Sequence, residues 1–516
     1  MKKVICHALL LVAVFALTFL TNIPDYDLWA RLMVGSIFFQ TGHVLRHDVF
    51  SYLPTKALWV DHEWGSGVAF YFFTKHFGNA GVFILKGVLI YAIFVMAKKT
   101  IKLRDEARAP SALFFAFMGY AMFPGIASLI RSQMFTYLFF GAWIYALERV
   151  RMEHRRILWV FPCTMLFWVN MHGGFVAGVG LVLLYAFGEL LNRKSPLPYL
   201  GIVLSILPVM LINPYGFALW RSVVDAALMP RPFIPEWHPI SLGGPMQSFG
   251  GFKVHFLTGY MLLVGLTTVA ACRSLLLKQK EDWTKIVVLV ATFLLSVRHQ
   301  RHVVFFVLAA STLAYHQIAG LVDPLRRILD RRAPSGSAKI QAVVQWGLGY
   351  VLPAIVLVLI IPKLHYRTVV DYRRFPVGSF EFIRQNGLSG NLATGFDFGS
   401  FAEWKLYPRC KVMIDGRYEE VFPNDVFDLA MQLSIRQGQW WEVVRRFPTD
   451  IVVLPKQGYS QADLGYLRGW VPVYQDHVSV VLLPADRIKG PYTRPDYRGA
   501  AYSNEDLSKS IVVATD

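Results

Sequence analysis

The chain has 516 residues, is 55% hydrophobic and 15% aromatic, and carries a formal charge of +18. That apolar content excludes an ordinary soluble enzyme. The basic residues lie in short segments between apolar runs, at 98–108 (KKTIKLRDEAR), 149–156 (RVRMEHRR), 273–280 (RSLLLKQK) and 326–332 (RRILDRR). This is the positive-inside pattern of a polytopic membrane protein, and it leaves no basic face for a nucleic-acid partner.

A membrane span needs about 20 apolar residues. The sequence offers about eleven such runs, near 4–21, 80–97, 111–129, 133–148, 157–171, 174–191, 198–213, 255–272, 285–297, 302–321 and 342–362. With the N-terminal MKK inside, every strongly basic loop falls on the cytoplasmic side. The expected fold is therefore mainly α: a polytopic transmembrane helical bundle over 1–363, N-in and C-out, followed by a C-terminal extracytoplasmic α/β domain over 364–516. The first run lacks an A-x-A cleavage signal after it and reads as a retained anchor rather than a signal peptide. Of the cysteines, Cys6, Cys163 and Cys272 lie in or beside spans and Cys410 in the tail, so no internal disulfide is expected outside.

The first external loop, 22–79, opens with PDYDLWARLMVG, which sets Asp25 and Asp27 at the end of the first span. Leu28, Leu32 and Phe39 with Trp29, Met33 and Ile37 form a stripe that predicts a helix lying in the membrane interface. Asp27 and Arg31 are four apart, the spacing of a same-face ion pair. The plain structural reading is that Asp25 and Asp27 cap this helix. Further on, WVDHEWGSG places Asp61, His62 and Glu63 between two tryptophans.

The later outer connections are short. They hold Arg131, Asn170, His172, Asn213, Tyr215, Glu236, His238, Arg298, His299, Arg301 and His302. Single cations of this kind can snorkel from span ends. Acids, histidines, arginines and amides gathered on one face are costly at membrane depth and mark a site.

In the tail, 411–417, 450–455 and 471–484 read as strands and 423–446 as helical. Asp397, Asp415, Arg417, Glu419 and Glu420 fall near strand ends, where α/β sites lie; the alternative is a satisfied Asp–Arg turn network. Residues past 490 are polar and turn-rich.

An acid pair of DxD type just after the first span, a helix behind it and a polar outer vestibule resemble the GT-C glycosyltransferases, over roughly residues 1 to 360. The resemblance implies an enzyme, among membrane lipids, that moves a sugar from a polyprenyl-phosphate or polyprenyl-diphosphate carrier to a glycan, lipid or protein acceptor outside the cytoplasm. The compact loops and N-terminal anchor set the expected location as the cell inner membrane. The chain departs from the family in lacking a WWD-type motif and the loop pattern of the protein mannosyltransferases. Such transfer needs a carboxylate to activate the acceptor and cations to hold the phosphate. Asp25, Asp27, Asp61 and Glu63 are the expected catalytic acids, with Asp27 the acceptor-activating one. Arg131, Asn170, His172, Glu236, Arg298 and Arg301 are the expected substrate-binding residues, arginine being suited to phosphate. A divalent cation, Mg or Mn, bridging Asp27 to a diphosphate is compatible with this set, and its ligands are not legible. Three other readings stay open: an O-antigen-ligase-like transferase, a lipid-linked glycan transporter, and an envelope assembly scaffold. The internal repeats and broken helices that transport favours are not evident.

Overall fold

The structure, a computed structural model, describes residues 2–104, 112–323 (apart from 230, 232–233, 242, 244–245 and 250–251) and 370–495, with scattered positions beyond. The chain opens with α1 (Lys2–Phe19), and the first loop then carries α2 (Leu28–Thr41) and α3 (Trp64–Phe77). There follow α4 (Ala80–Lys102), α5 (Ala112–Ala121), α6 (Phe123–Ile126), α7 (Gln133–Arg151), α8 (Val160–Met171), α9 (Phe175–Leu191), α10 (Leu197–Val209) and α11 (Phe217–Leu228). A small antiparallel hairpin, β1 (Met246–Phe249) and β2 (Phe252–His255), precedes α12 (Thr258–Leu276), α13 (Trp283–Arg298), α14 (Val303–Leu313) and α15 (Tyr315–Ala319).

Most of these helices match the apolar runs of the sequence. The run at 111–129 is split into α5 and α6, with a proline in the first turn of α6; the run at 302–321 is split into α14 and α15. The run at 342–362 lies almost wholly outside the described residues. Among the described residues, α4 and α12 are long and apolar enough by themselves to cross a membrane. The shorter helices share one property with them: large apolar side chains point outward, including Phe15 on α1, Phe167 on α8, Phe187 on α9, Leu204 on α10 and Leu294 on α13. An apolar surface of that extent is a site of contact with other apolar matter.

The two ends of the bundle differ. At one end the C-termini of α4, α7 and α9 meet the N-terminus of α13 through ion pairs, Arg104–Glu148 at 2.5 Å and Arg151 with Glu189 and Asp282 at 2.8 Å each. Asp25, Glu63, Arg131, His172, Glu236 and Arg301 gather at the other end.

Helix α2 is covered by protein on both sides rather than lying half-exposed, as an interfacial helix would. Every residue from Leu28 to Ile37 is buried. One side meets α3 so closely that a Cβ on Gly35 would stand 2.2 Å from the Gly67 carbonyl oxygen, which is why both positions are glycine. The other side is roofed by the C-terminal helix Phe396–Leu406: the Trp29 ring lies 4.9 Å from that of Phe401 and 6.1 Å from that of Trp404. A helix apolar all round is buried all round, and here the second domain does the covering. Helix α3, expected only as part of the first loop, packs against α2, α4 and α8.

The C-terminal part holds β3 (Val370–Asp371), paired with β9 (Tyr502–Ser503), and a five-stranded sheet in the order β5 (Cys410–Val412), β4 (Gly390–Thr394), β6 (Ile451–Pro455), β8 (Ser479–Pro484), β7 (Trp470–Gln475). Strands β5, β4 and β6 run parallel, and β8 and β7 are antiparallel to their neighbours. The expected strand at 471–484 is thus a hairpin of two, and the helical stretch 423–446 is two helices, Asn424–Ile435 and Glu442–Arg446. The first loop seals the open β5 edge: the Val412 N–H donates to the Phe50 carbonyl at 2.8 Å and the Tyr52 N–H to the Val412 carbonyl at 3.1 Å. An edge covered in this way is no longer free to pair elsewhere.

Candidate active site

Asp25 and Asp27 stand at the entry to α2 and have different partners. Asp25 accepts the Asp27 N–H at 3.2 Å through Oδ1, a local Asx turn, and meets Arg131 Nε at 2.9 Å through Oδ2. Asp27 occupies the N-cap position, but its side chain makes no capping hydrogen bond. It does not pair with Arg31 either. Arg31 reaches into the first loop, where it bonds Asp61 and stands 3.7 Å from both Glu63 and Glu420. Neither the cap nor the four-apart ion pair expected from sequence is formed by Asp27.

Among the described residues, no side-chain hydrogen bond or ion pair engages the Asp27 carboxylate. It is open to a cleft while protein surrounds it on the remaining sides. Burial first, and the neighbouring Asp25 second, push its pKa well above the usual carboxylate range, against Arg131. A carboxylate with a raised pKa in a cleft is a candidate for proton transfer.

Arg131 begins an alternating row of charges. Its Nη1 lies 2.7 Å from Glu236, and Glu236 lies 3.4 Å from Arg301. The Arg301 guanidinium stacks 4.3 Å above the Trp237 ring, and the Gln300 N–H donates to the His238 carbonyl, which ties the two loops together. Burial alone would raise the Glu236 pKa; Arg131 and Arg301 outweigh it and bring it to about 2. Glu236 therefore remains anionic and holds both arginines in place.

Glu63 is the centre of a second group. His172 Nε2 is 3.2 Å away and His62 Nε2 3.7 Å away. His172 Nδ1 accepts the Gly174 N–H at 2.9 Å and faces the Thr136 hydroxyl at 2.9 Å, so its ring proton is assigned to Nε2, toward Glu63. Burial lowers the His172 pKa and keeps the ring neutral. Burial would raise Glu63, but the His172 hydrogen bond and the charges of Arg31 and His62 hold it well below its usual range. Asp61, buried beside Glu420, is pushed up to about 6 against the pull of Arg31.

Two of the expected residues stand apart. Asn170 is spent on structure: its Oδ1 accepts the Trp64 indole N–H at 3.1 Å and its amide bonds the carbonyls of Leu166 and Ile212. Arg298 is exposed at the end of α13. The sequence reading missed Arg31 as an anchor and Arg374 altogether, and gave Glu420 no partner; Glu420 in fact takes the His62 ring at 2.9 Å and the Trp59 indole N–H at 2.9 Å. The apolar character of the segment around Arg31 was the one available signal, since a lone cation there requires buried acids nearby.

Asp415 and Arg417 form the satisfied turn network. Arg417 is fully buried, 2.8 Å from Asp48, 3.0 Å from Glu403 and 2.8 Å from Asp415, with the Phe50 and Trp59 rings each 4.7 Å from its guanidinium. The Glu419 side chain lies outside the described residues. Between Asp415 and Arg417, Gly416 faces Asp27 directly.

Open space adjoins the acids. A cavity of about 290 Å³ is lined by Thr21, Asp25, Ser128, Arg131 and Arg374. Arg374, from the C-terminal part, also lines a second cleft of about 570 Å³ with Tyr26 and Asp397. A hard divalent cation takes about six oxygen ligands. Among the described residues no three His, Cys, Asp or Glu side chains converge in that way, and Asp25 and Glu63 are already held by cations or histidine. The described residues do not form a metal cage.

No family model and no curated protein matches the sequence. Solved structures do match the fold. The oligosaccharyltransferase of Archaeoglobus fulgidus in its apo form covers 90% of this chain and 72% of its own, with a TM-score of 0.53 at 11% identity. The same archaeal protein, AglB, in complex with an inhibitory peptide and a dolichol-phosphate covers 99% and 77%, with a TM-score of 0.56 at 11% identity. ArnT from Cupriavidus metallidurans bound to undecaprenyl phosphate is 15% identical, covering 95% of this chain and 99% of its own, at a TM-score of 0.46. The fold is shared with the archaeal oligosaccharyltransferase structures. At these identities the likeness is one of architecture.

Proposed function

We propose that this chain is a membrane glycosyltransferase that moves a sugar from a polyprenyl-phosphate or polyprenyl-diphosphate carrier to an acceptor outside the cytoplasm. The observation that carries the reading is the uncommitted Asp27 carboxylate, its pKa raised, beside a cavity lined by Arg131 and Arg374. AglB, of the same fold, binds a dolichol-phosphate.

In this reading the acceptor hydroxyl or amine gives its proton to an Asp27 oxygen as it attacks the anomeric carbon. The new bond to carbon forms while the bond from that carbon to the carrier phosphate oxygen breaks, and the electron pair leaves with the phosphate. Arg131 and Arg374 face that developing charge, and Arg301 supports Arg131 through their shared Glu236. Asp25 fixes Arg131 and the Asp27 backbone; Glu63, Asp61 and His172 hold the first loop in shape.

The outward apolar side chains, with α4 and α12, support a bundle seated in a cell inner membrane. The segregation of the basic loops to one end and the acid-rich cleft to the other supports N-in, C-out topology with about eleven spans and an external domain from about residue 364. The test is consumption of radiolabelled polyprenyl-linked sugars by the purified protein. Release of the carrier phosphate together with a labelled product is expected. A folded, monodisperse protein that turns over neither monophosphate nor diphosphate donors would overturn the proposal.

A further inference from the structure

The cavity lined by Asp25 and Arg131 shares Arg374 with a second cleft. The second cleft runs along the carboxyl ends of the parallel strands β4 and β6, between Tyr26 of the first loop and Phe396 of the C-terminal helix, where ligands of α/β sheets bind. At its far side it shares His477 with a groove of about 990 Å³ that follows strand β7. Single ligand pockets span roughly 300–1,000 Å³, so two such spaces in series fit an elongated molecule. Arg373, Arg374, Lys456 and Arg494 line this path and are all exposed; among the described residues, no ion pair engages any of the four. Against them stand Asp397, which faces Arg374, and Asp476, whose carboxylate is taken up by the N–H groups of Ser379, Val478 and Ser479. The uncompensated charge is positive.

We infer that this path is an acceptor channel for an anionic glycan chain, whose growing end would lie at Asp27; the inference rests on the transferase reading for the role of that end. The rings of Tyr26, Phe396, Tyr459 and Tyr474 offer faces for sugar rings, and Ser434, Gln457 and Gln461 offer hydrogen bonds to hydroxyls. An extended peptide would bind such an edge by adding a strand. Strand β7 is unsuited to that: Pro472 removes a donor and the register is broken between Pro472 and Tyr474.

The test is calorimetric binding to the full-length protein in detergent, with hexa-galacturonate as the anionic probe, maltohexaose as the neutral one and hexaglutamate as the peptide. Hexa-galacturonate is expected to bind more tightly than either control and to weaken at high salt. The exposed triple variant Arg373→Glu, Lys456→Glu, Arg494→Glu is expected to weaken it at least tenfold while the melting temperature holds. Should that variant misfold, the salt dependence and probe ranking of the parent protein decide the matter alone. Equal binding of maltohexaose, tighter binding of hexaglutamate, or an unchanged triple variant overturns the inference. Donor consumption is measured separately with water or a small alcohol as acceptor, so a failed channel and a failed transferase give different results.

Discussion

A Cβ placed on Gly416 would lie 2.2 Å from Asp27 Oδ1. The carboxylate at the mouth of α2 is thus braced by a turn of the C-terminal domain nearly 400 residues away in sequence. The atom that would have to yield is the end of a side chain, not backbone. Gly416→Ala is therefore expected to displace the Asp27 carboxylate rather than unfold the protein. The expected result is a fall in turnover of at least about tenfold with a melting temperature within a few degrees of the parent. Retained activity would show that the position of Asp27 is not set by this contact.

The pH dependence of turnover follows from the same carboxylate. A general base must be ionised, and burial with Asp25 raises the Asp27 pKa. Activity is expected to be full above that raised pKa and to fall as pH drops through it, an acid limb well above the ~4 of a free aspartate. A limb at or below about 4 in a kcat profile would remove the tuning from the mechanism.

Stability has a separate acid dependence through Glu236. Its pKa is lowered to about 2 in the folded chain, so the stabilisation is present above the unfolded value of ~4.3 and is lost as pH falls from there toward 2. Glu236→Gln should flatten that part of the melting temperature profile and reduce turnover, because Arg131 and Arg301 lose their common anchor. An unchanged acid slope in the variant would contradict the ion-pair row.

The helical bundle and its polar end were legible because hydropathy and charge alternate strongly along the chain. So was the gathering of Asp25, Arg131, Glu236 and Arg301, since short loops at one end of a bundle have few places to go. What the sequence hid was the roof. Helix α2 was read as lying in the interface because its covering, Phe401 and Trp404, comes from a separate part of the chain. The four-apart spacing of Asp27 and Arg31 suggested a pair, but local spacing yields to tertiary acids, and Arg31 turned to Asp61. Glu420 and Arg374 could not be tied to the first loop without the fold.

Arg417 tests how firmly the roof is fastened. It is the only cation facing Asp48, Glu403 and Asp415 in that buried cluster among the described residues. Arg417→Ala leaves buried acids unpaired and is expected to cost about 3–5 kcal/mol. Thermal unfolding in detergent should show the loss, with increased protease access to the first loop at 45–60. A melting temperature equal to the parent's would show that the network does not hold the two parts together.

The central claim is that Asp27 is the proton acceptor, and Asp27→Asn tests it most directly, with turnover and melting temperature measured on one preparation. The substitution keeps the size of the side chain and removes the charge. Because the Asp27 side chain is exposed to the cleft and makes no capping hydrogen bond, at neutral pH the variant should be about as stable as the parent. Turnover should fall by roughly 10²–10⁴. A variant as active as the parent, or one that loses activity only in proportion to a lowered melting temperature, would contradict the assignment and leave the acid pair as part of the framework.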